Sequence, residues 1–135
     1  MLKGISLRGL QRGARVLAVV LAMGLPALLL VGGSHPAAAH AVAVPWDKLV
    51  HIGVYALLSC AIGFASGRHG FAGMAIGFAG AMLVGLADEG HQMFLPGRAA
   101  DVDDLIANAV GAALGTSVLA VRIYVRQWVA MHVDQ

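Results

Sequence analysis

The sequence predicts an all-α integral membrane protein: one domain over residues 1–135, folded as a bundle of four transmembrane helices with both termini in the cytoplasm. Three observations predict it. Hydrophobic residues make up 59% of the 135 residues and charged residues 12%, about half the charged share of a soluble domain. Mean hydropathy is +0.81. The apolar residues fall into four runs, each long enough to cross about 30 Å of hydrocarbon at about 1.5 Å per helical residue. Finally, the Lys and Arg residues that flank those runs fall mostly on one side, as in multi-pass proteins.

The first helix is expected over about 16–33, behind a basic head of Lys3, Arg8, Arg12 and Arg15. That head, the apolar run and the small-residue string from Pro36 to Ala41 also fit a cleavable signal peptide. Retention as a span is preferred, because the run is longer than the usual signal core and the remaining helices need it for topology. Pro26 should kink the helix without ending it. A loop free of Lys and Arg follows to Pro45 and Trp46, with Trp46 as an interface anchor. The second helix is expected over 49–66 and the third over 71–92, joined by the tight Arg68-His69-Gly70 connection. The fourth is expected over 102–121, followed by an amphipathic tail at 122–135 in which Tyr124, Trp128 and Met131 recur at helical spacing beside two arginines. Such a tail should lie along the inner membrane surface.

Small residues recur every three or four positions in three of the helices: Ser59, Gly63 and Gly67; Gly73, Gly77 and Gly80; Ala107, Gly111 and Gly115. In lipid this spacing lets helix backbones approach closely. Seven of the nine basic residues (Lys3, Arg8, Arg12, Arg15, Arg68, Arg122 and Arg126) fall on one side, which is therefore cytoplasmic. Every acidic residue but Asp134 falls on the other.

Composition also narrows function. The basic residues are dispersed and not interleaved with aromatics, which argues against nucleic-acid binding. Cys60 is the only cysteine, so there is no disulfide framework, and a buried, inert thiol is expected. No HExxH, GxSxG or phosphate-binding glycine loop occurs. Neither cofactor nor metal is called for, and no reaction can be assigned.

What stands out is polarity in a chain that has little. Between Asp88 and Asn108 lie five carboxylates, an Arg, a His, a Gln and an Asn, at the edge of the apolar runs where such groups are costly. On the second helix Asp47, His51 and Tyr55 are four apart and share a face, with Lys48 beside His51. On the third, Glu89 and Gln92 are three apart, and on the fourth Asp104 and Asn108 are four apart. If these faces converge they form one pocket near the outer boundary. Each piece also has a plain structural reading. Asp101 is a good helix N-cap, Pro96-Gly97 is a turn signal, and Lys48 can reach the interface by itself. A network that merely ties the bundle together would satisfy the rest.

The stretches DKLVHIGVY (Asp47 to Tyr55) and EGHQMFLPGRAADVDDLIANAVG (Glu89 to Gly111) resemble the VanZ-like family of small bacterial membrane proteins. The matching residues are Asp47, Lys48, His51, Tyr55, Glu89, Gln92, Phe94, Pro96, Arg98, Asp101, Asp104, Asn108 and Gly111. The family takes its name from a protein linked to low-level resistance to the glycopeptide teicoplanin, and its members generally have no established biochemical activity. The resemblance implies a role at the cell envelope and supplies no reaction.

These readings lead to one expectation. A multi-pass protein of the bacterial cytoplasmic membrane presents an outward-facing pocket for an envelope component, such as a lipid-linked or cell-wall precursor. Asp47, Lys48, His51, Tyr55, Glu89, Gln92, Arg98, Asp101, Asp104 and Asn108 would line it. Lys48, His51 and Arg98 would bind an anionic headgroup, with Glu89 and Asp104 orienting them or acting as general base. The alternative is a non-catalytic accessory subunit of a larger membrane protein complex, docking through the Gly-rich third helix and the aromatic tail.

Overall fold

A computed structural model describes residues 7–35, 42–43 and 45–133. Four helices follow one another: α1 (Leu7–Gly33), α2 (Trp46–Ala65), α3 (Gly70–Gln92) and α4 (Val102–Val133). All four are long and apolar enough to cross a membrane. No strand occurs among the described residues. The small-residue string from Pro36 to Ala41, one of the three features behind the signal-peptide alternative, lies outside them.

Two boundaries differ from the sequence expectation. Helix α1 reaches back at least to Leu7, because the described part of the basic head carries Leu, Arg, Gln and Ala and no Pro to stop it. Helix α4 continues to Val133, so residues 122–133 are collinear with the span and form no separate surface tail. Its apolar and basic residues keep helical spacing, and neither Gly nor Pro interrupts them. At about 1.5 Å per residue α4 is about 48 Å long, so its basic end must project beyond the hydrocarbon. Pro26 sits within the continuous α1.

The connections are short and chemically explicit. Helix α2 ends where Gly67 takes φ +69°, and Ser66 Oγ donates to the Gly63 carbonyl at 2.7 Å. Gly67 thus serves as a turn residue and not as a packing residue within the helix. Between α3 and α4, Gly97 takes φ +77° after Pro96, and the Arg98 amide donates to Leu95 O at 3.2 Å. This is the turn that a Pro-Gly pair favours. Asp101 then opens α4, its Oδ1 accepting from the Asp103 amide at 2.9 Å.

Close packing concentrates on α2. A side chain at Gly111 would run into the Ile52 carbonyl, and one at Gly115 into the Ala56 carbonyl. On the other flank, Gly77 faces the Ser59 carbonyl and the backbone of Gly63. Ser59 Oγ crosses the α2–α4 seam to donate to Ala112 O at 3.0 Å. The fully buried core is correspondingly small, consisting of Tyr55, Leu58, Ala81 and Ala112. Large apolar residues such as Leu28, Phe71, Leu83 and Leu114 point outward, as expected where the solvent is lipid. Among the described residues α1 packs on α2 and the edge of α3 only. Cys60 is half-buried, not enclosed as expected. The chain is a multi-pass membrane protein.

Candidate functional site

The polar faces do converge. The N-terminal ends of α2 and α4 and the C-terminal end of α3 meet at one end of the bundle, where helix starts favour carboxylates. Lys48, on the first turn of α2, reaches α4. Its Nζ donates to Asp101 Oδ2 at 2.8 Å and closes tightly on Asp104 Oδ1, with Asp47 Oδ2 at 3.5 Å. The Lys48 ammonium and the Asp103 amide hold the Asp101 carboxyl below the usual carboxylate range.

One turn deeper, His51 Nδ1 lies 2.8 Å from Asn108 Oδ1. With that oxygen as acceptor, Nδ1 carries the proton. The other ring nitrogen, Nε2, is 3.7 Å from Asp104 Oδ2. Tyr55 lies a turn below, its ring parallel to the imidazole with centroids 6.2 Å apart. From α3, Glu89 Oε2 accepts the Asp101 backbone N–H at 3.0 Å. Three buried polar atoms have no partner among the described residues: Glu89 Oε1, the Tyr55 hydroxyl and Asn108 Nδ2. Buried groups of this kind are normally satisfied. His51, Glu89 and Asp104 can each offer a ligand atom within 4.8 Å of the other two.

A cleft of about 430 Å³ opens beside this cluster. Its polar wall includes Asp47, His51, Gln92, Arg98, Asp101 and Asp104; Leu28, Leu29, Val42 and Val50 form an apolar lip. Arg98 stands apart from the network. Its guanidinium makes no ion pair among the described residues, although its charge acts on Asp88 across the cleft. Gln92 likewise turns to Asp88, with Nε2 3.4 Å from Oδ2. All ten expected residues therefore sit at this end. Asp47, His51, Asp101 and Asp104 both join the network and line the cleft, Lys48, Glu89 and Asn108 join the network, Tyr55 stacks below His51, and Gln92 and Arg98 line the cleft outside it.

Two contributors stand outside the ten expected residues. Asp88, which lies in the polar stretch four before Gln92 but is not among the residues that match the family, is 3% exposed and lines the cleft. Gly85 makes room for the site: a Cβ there would lie 3.1 Å from Asn108 Nδ2 and 3.2 Å from the Tyr55 ring. Its place one turn before Glu89 is the available clue.

A second cavity, about 460 Å³, lies at the opposite end, where Arg15, Arg68, Arg122 and Arg126 gather. Arg122 lies over the Phe64 ring, 4.1 Å from its centroid. The two ends thus carry opposite charge.

No curated protein and no solved structure matches the chain. The VanZ/LLP1 family matches residues 13–124, a range that holds α2 and α3, most of α1 and α4, and every residue of the cluster. The chain belongs to the VanZ/LLP1 family.

Proposed function

We propose that the cleft binds the anionic headgroup of an envelope lipid or lipid-linked cell-wall precursor at the outer face of the bacterial cytoplasmic membrane. The observation that carries this reading is Arg98. It is a cation in a cleft wall with no carboxylate within ion-pair distance among the described residues, in a cleft whose apolar lining comes from α1, α2 and Val42 between them. A polar wall below an apolar lip suits a molecule with a charged head and an acyl tail. Lys48, expected to share the work, is engaged by three carboxylates. It contributes by neutralising them, which leaves Arg98 as the cation available to the ligand.

The outward orientation rests on the basic residues, which collect at the end away from the cleft. The accessory-subunit reading has less support. Gly73 and Gly77, the features of α3 that would admit another helix, are occupied within the chain by α2 and its connection.

The test is mass spectrometry of lipids retained by the purified protein. The wild type should retain an anionic lipid that Arg98→Ala loses while remaining folded, with Arg98→Lys retaining part of it. Equal retention by wild type and Arg98→Ala would remove the basis for the proposal.

A further inference from the structure

The geometry points to a divalent-cation site held by His51 Nε2 and one carboxylate oxygen each from Glu89 and Asp104, with Zn²⁺ the ion best matched to the donors. The argument begins with which atoms are already taken. On each of the three side chains the protein occupies one atom and leaves the other. His51 Nδ1 is held by Asn108, Asp104 Oδ1 by Lys48, and Glu89 Oε2 by the Asp101 amide. The remaining atoms are Nε2, Oδ2 and Oε1.

This is the pattern of a supported metal site, in which a partner on the far atom fixes each ligand's orientation and protonation. With the proton on Nδ1, Nε2 presents a lone pair. Glu89 supplies an independent indication of a missing ligand. It is 6% exposed, and Oε1 has no hydrogen-bond partner although it is buried.

Distance agrees. Nitrogen and oxygen ligands sit about 2.0–2.2 Å from Zn²⁺, so neighbouring ligand atoms of a tetrahedral ion are about 3.4 Å apart. His51 Nε2 and Asp104 Oδ2 are 3.7 Å apart, too far for a hydrogen bond and close to the separation an ion imposes. All three groups meet within 4.8 Å. Two carboxylates balance the charge of the ion at the membrane edge, and the imidazole favours a transition metal over Mg²⁺ or Ca²⁺. Three protein ligands leave a fourth position open, as in zinc sites that take water or substrate. His51 and Asp104 both line the cleft, so that position faces it. The step from the ion to a bound phosphate rests on the headgroup reading above; the ion itself does not.

The experiment is metal titration of the full-length chain, purified in detergent without a His tag and stripped with chelator, in the absence of added lipid. One Zn²⁺ per chain is expected, outcompeting millimolar Mg²⁺. Co²⁺ should give the visible absorption of a four- or five-coordinate site with nitrogen and oxygen donors. Glu89→Gln, Asp104→Asn and His51→Gln should each weaken Zn²⁺ at least tenfold. The exposed neighbour Asp103→Asn should bind as wild type. Because Asp104→Asn also disturbs Lys48, apo stability is measured beside affinity, and the wild-type Co²⁺ spectrum needs no variant at all. Absence of stoichiometric uptake by wild type, a purely hexa-aquo Co²⁺ spectrum, or uptake unchanged in Glu89→Gln overturns the site. Loss of lipid retention in Arg98→Ala bears only on the headgroup reading, so the two can fail separately.

Discussion

Lys48 and Arg98 are both cations at the acidic end of the bundle, and the structure assigns them opposite roles that mutation separates. Lys48 is 22% exposed and Asp104 13%, so their pair lies between a solvated surface bridge, about 0–1 kcal/mol, and a fully buried one, about 3–5 kcal/mol when a partner is removed. Lys48→Ala therefore costs about 1–3 kcal/mol and leaves Asp104 Oδ1 uncompensated beside Glu89. Arg98 has no pair to lose, and Arg98→Ala should fall within about 0.5 kcal/mol of wild type, as for ordinary surface changes. Membrane abundance and thermal unfolding in detergent measure both. If the Lys48 loss is an orphaned carboxylate, the double variant Lys48→Ala/Asp104→Asn should recover much of it. The reasoning is refuted if Arg98→Ala is as unstable as Lys48→Ala, or if removing Asp104 deepens the Lys48→Ala defect.

Further outcomes follow from other parts of the fold. Gly111→Ala should destabilise by about 1–3 kcal/mol, because the new methyl group meets the Ile52 backbone carbonyl and not a movable side chain; Gly53→Ala, with nothing in reach, is its control. Since the Asp101 carboxyl is held below its ordinary pKa, its stabilisation is complete above the unfolded value of about 3.9 and is lost as pH falls through the folded value. Thermal scans should accordingly show Asp101→Asn less stable than wild type at neutral pH, the gap closing towards pH 3. Reporter fusions after Gly67 and Gln135 should read cytoplasmic and those after Gly33 and Gly97 external; an external reading at Gln135 would reverse the proposed orientation.

The helices were legible because each apolar run is bounded by its own chemistry: Ser66-Gly67 after α2, Pro96-Gly97 and Asp101 before α4. The ends of α1 and α4 were not, since the basic residues that mark the membrane surface do not stop a helix. Helical spacing showed which polar residues share a face, and so grouped Asp47, His51 and Tyr55, Glu89 with Gln92, and Asp104 with Asn108; Asp101, which spacing read only as an N-cap, entered through the family resemblance. Spacing could not show what each atom does. His51, Glu89 and Asp104 come from three helices, so no local motif joins them, and their grouping depends on the angles at which α2, α3 and α4 pack. Nor could spacing separate Lys48 from Arg98, because Arg98 follows the turn at Gly97, outside any helix, where no periodicity says which carboxylates it meets.

That α4 alone brings Asp101, Asp104 and Asn108 to the cluster has a consequence for biosynthesis. The chain is made from its N-terminus, so α3 enters the membrane with Asp88 and Glu89 before the helix that shelters them exists. Lys48 and His51 wait on α2 in the same condition. Helix α4 is the keystone: its arrival supplies the opposing charges, the amide for His51 and the glycines that let α2 close. A nascent chain halted before residue 101 should be held by the insertion machinery or degraded, and crosslinking from Glu89 should move from the translocon to α4 as synthesis is completed.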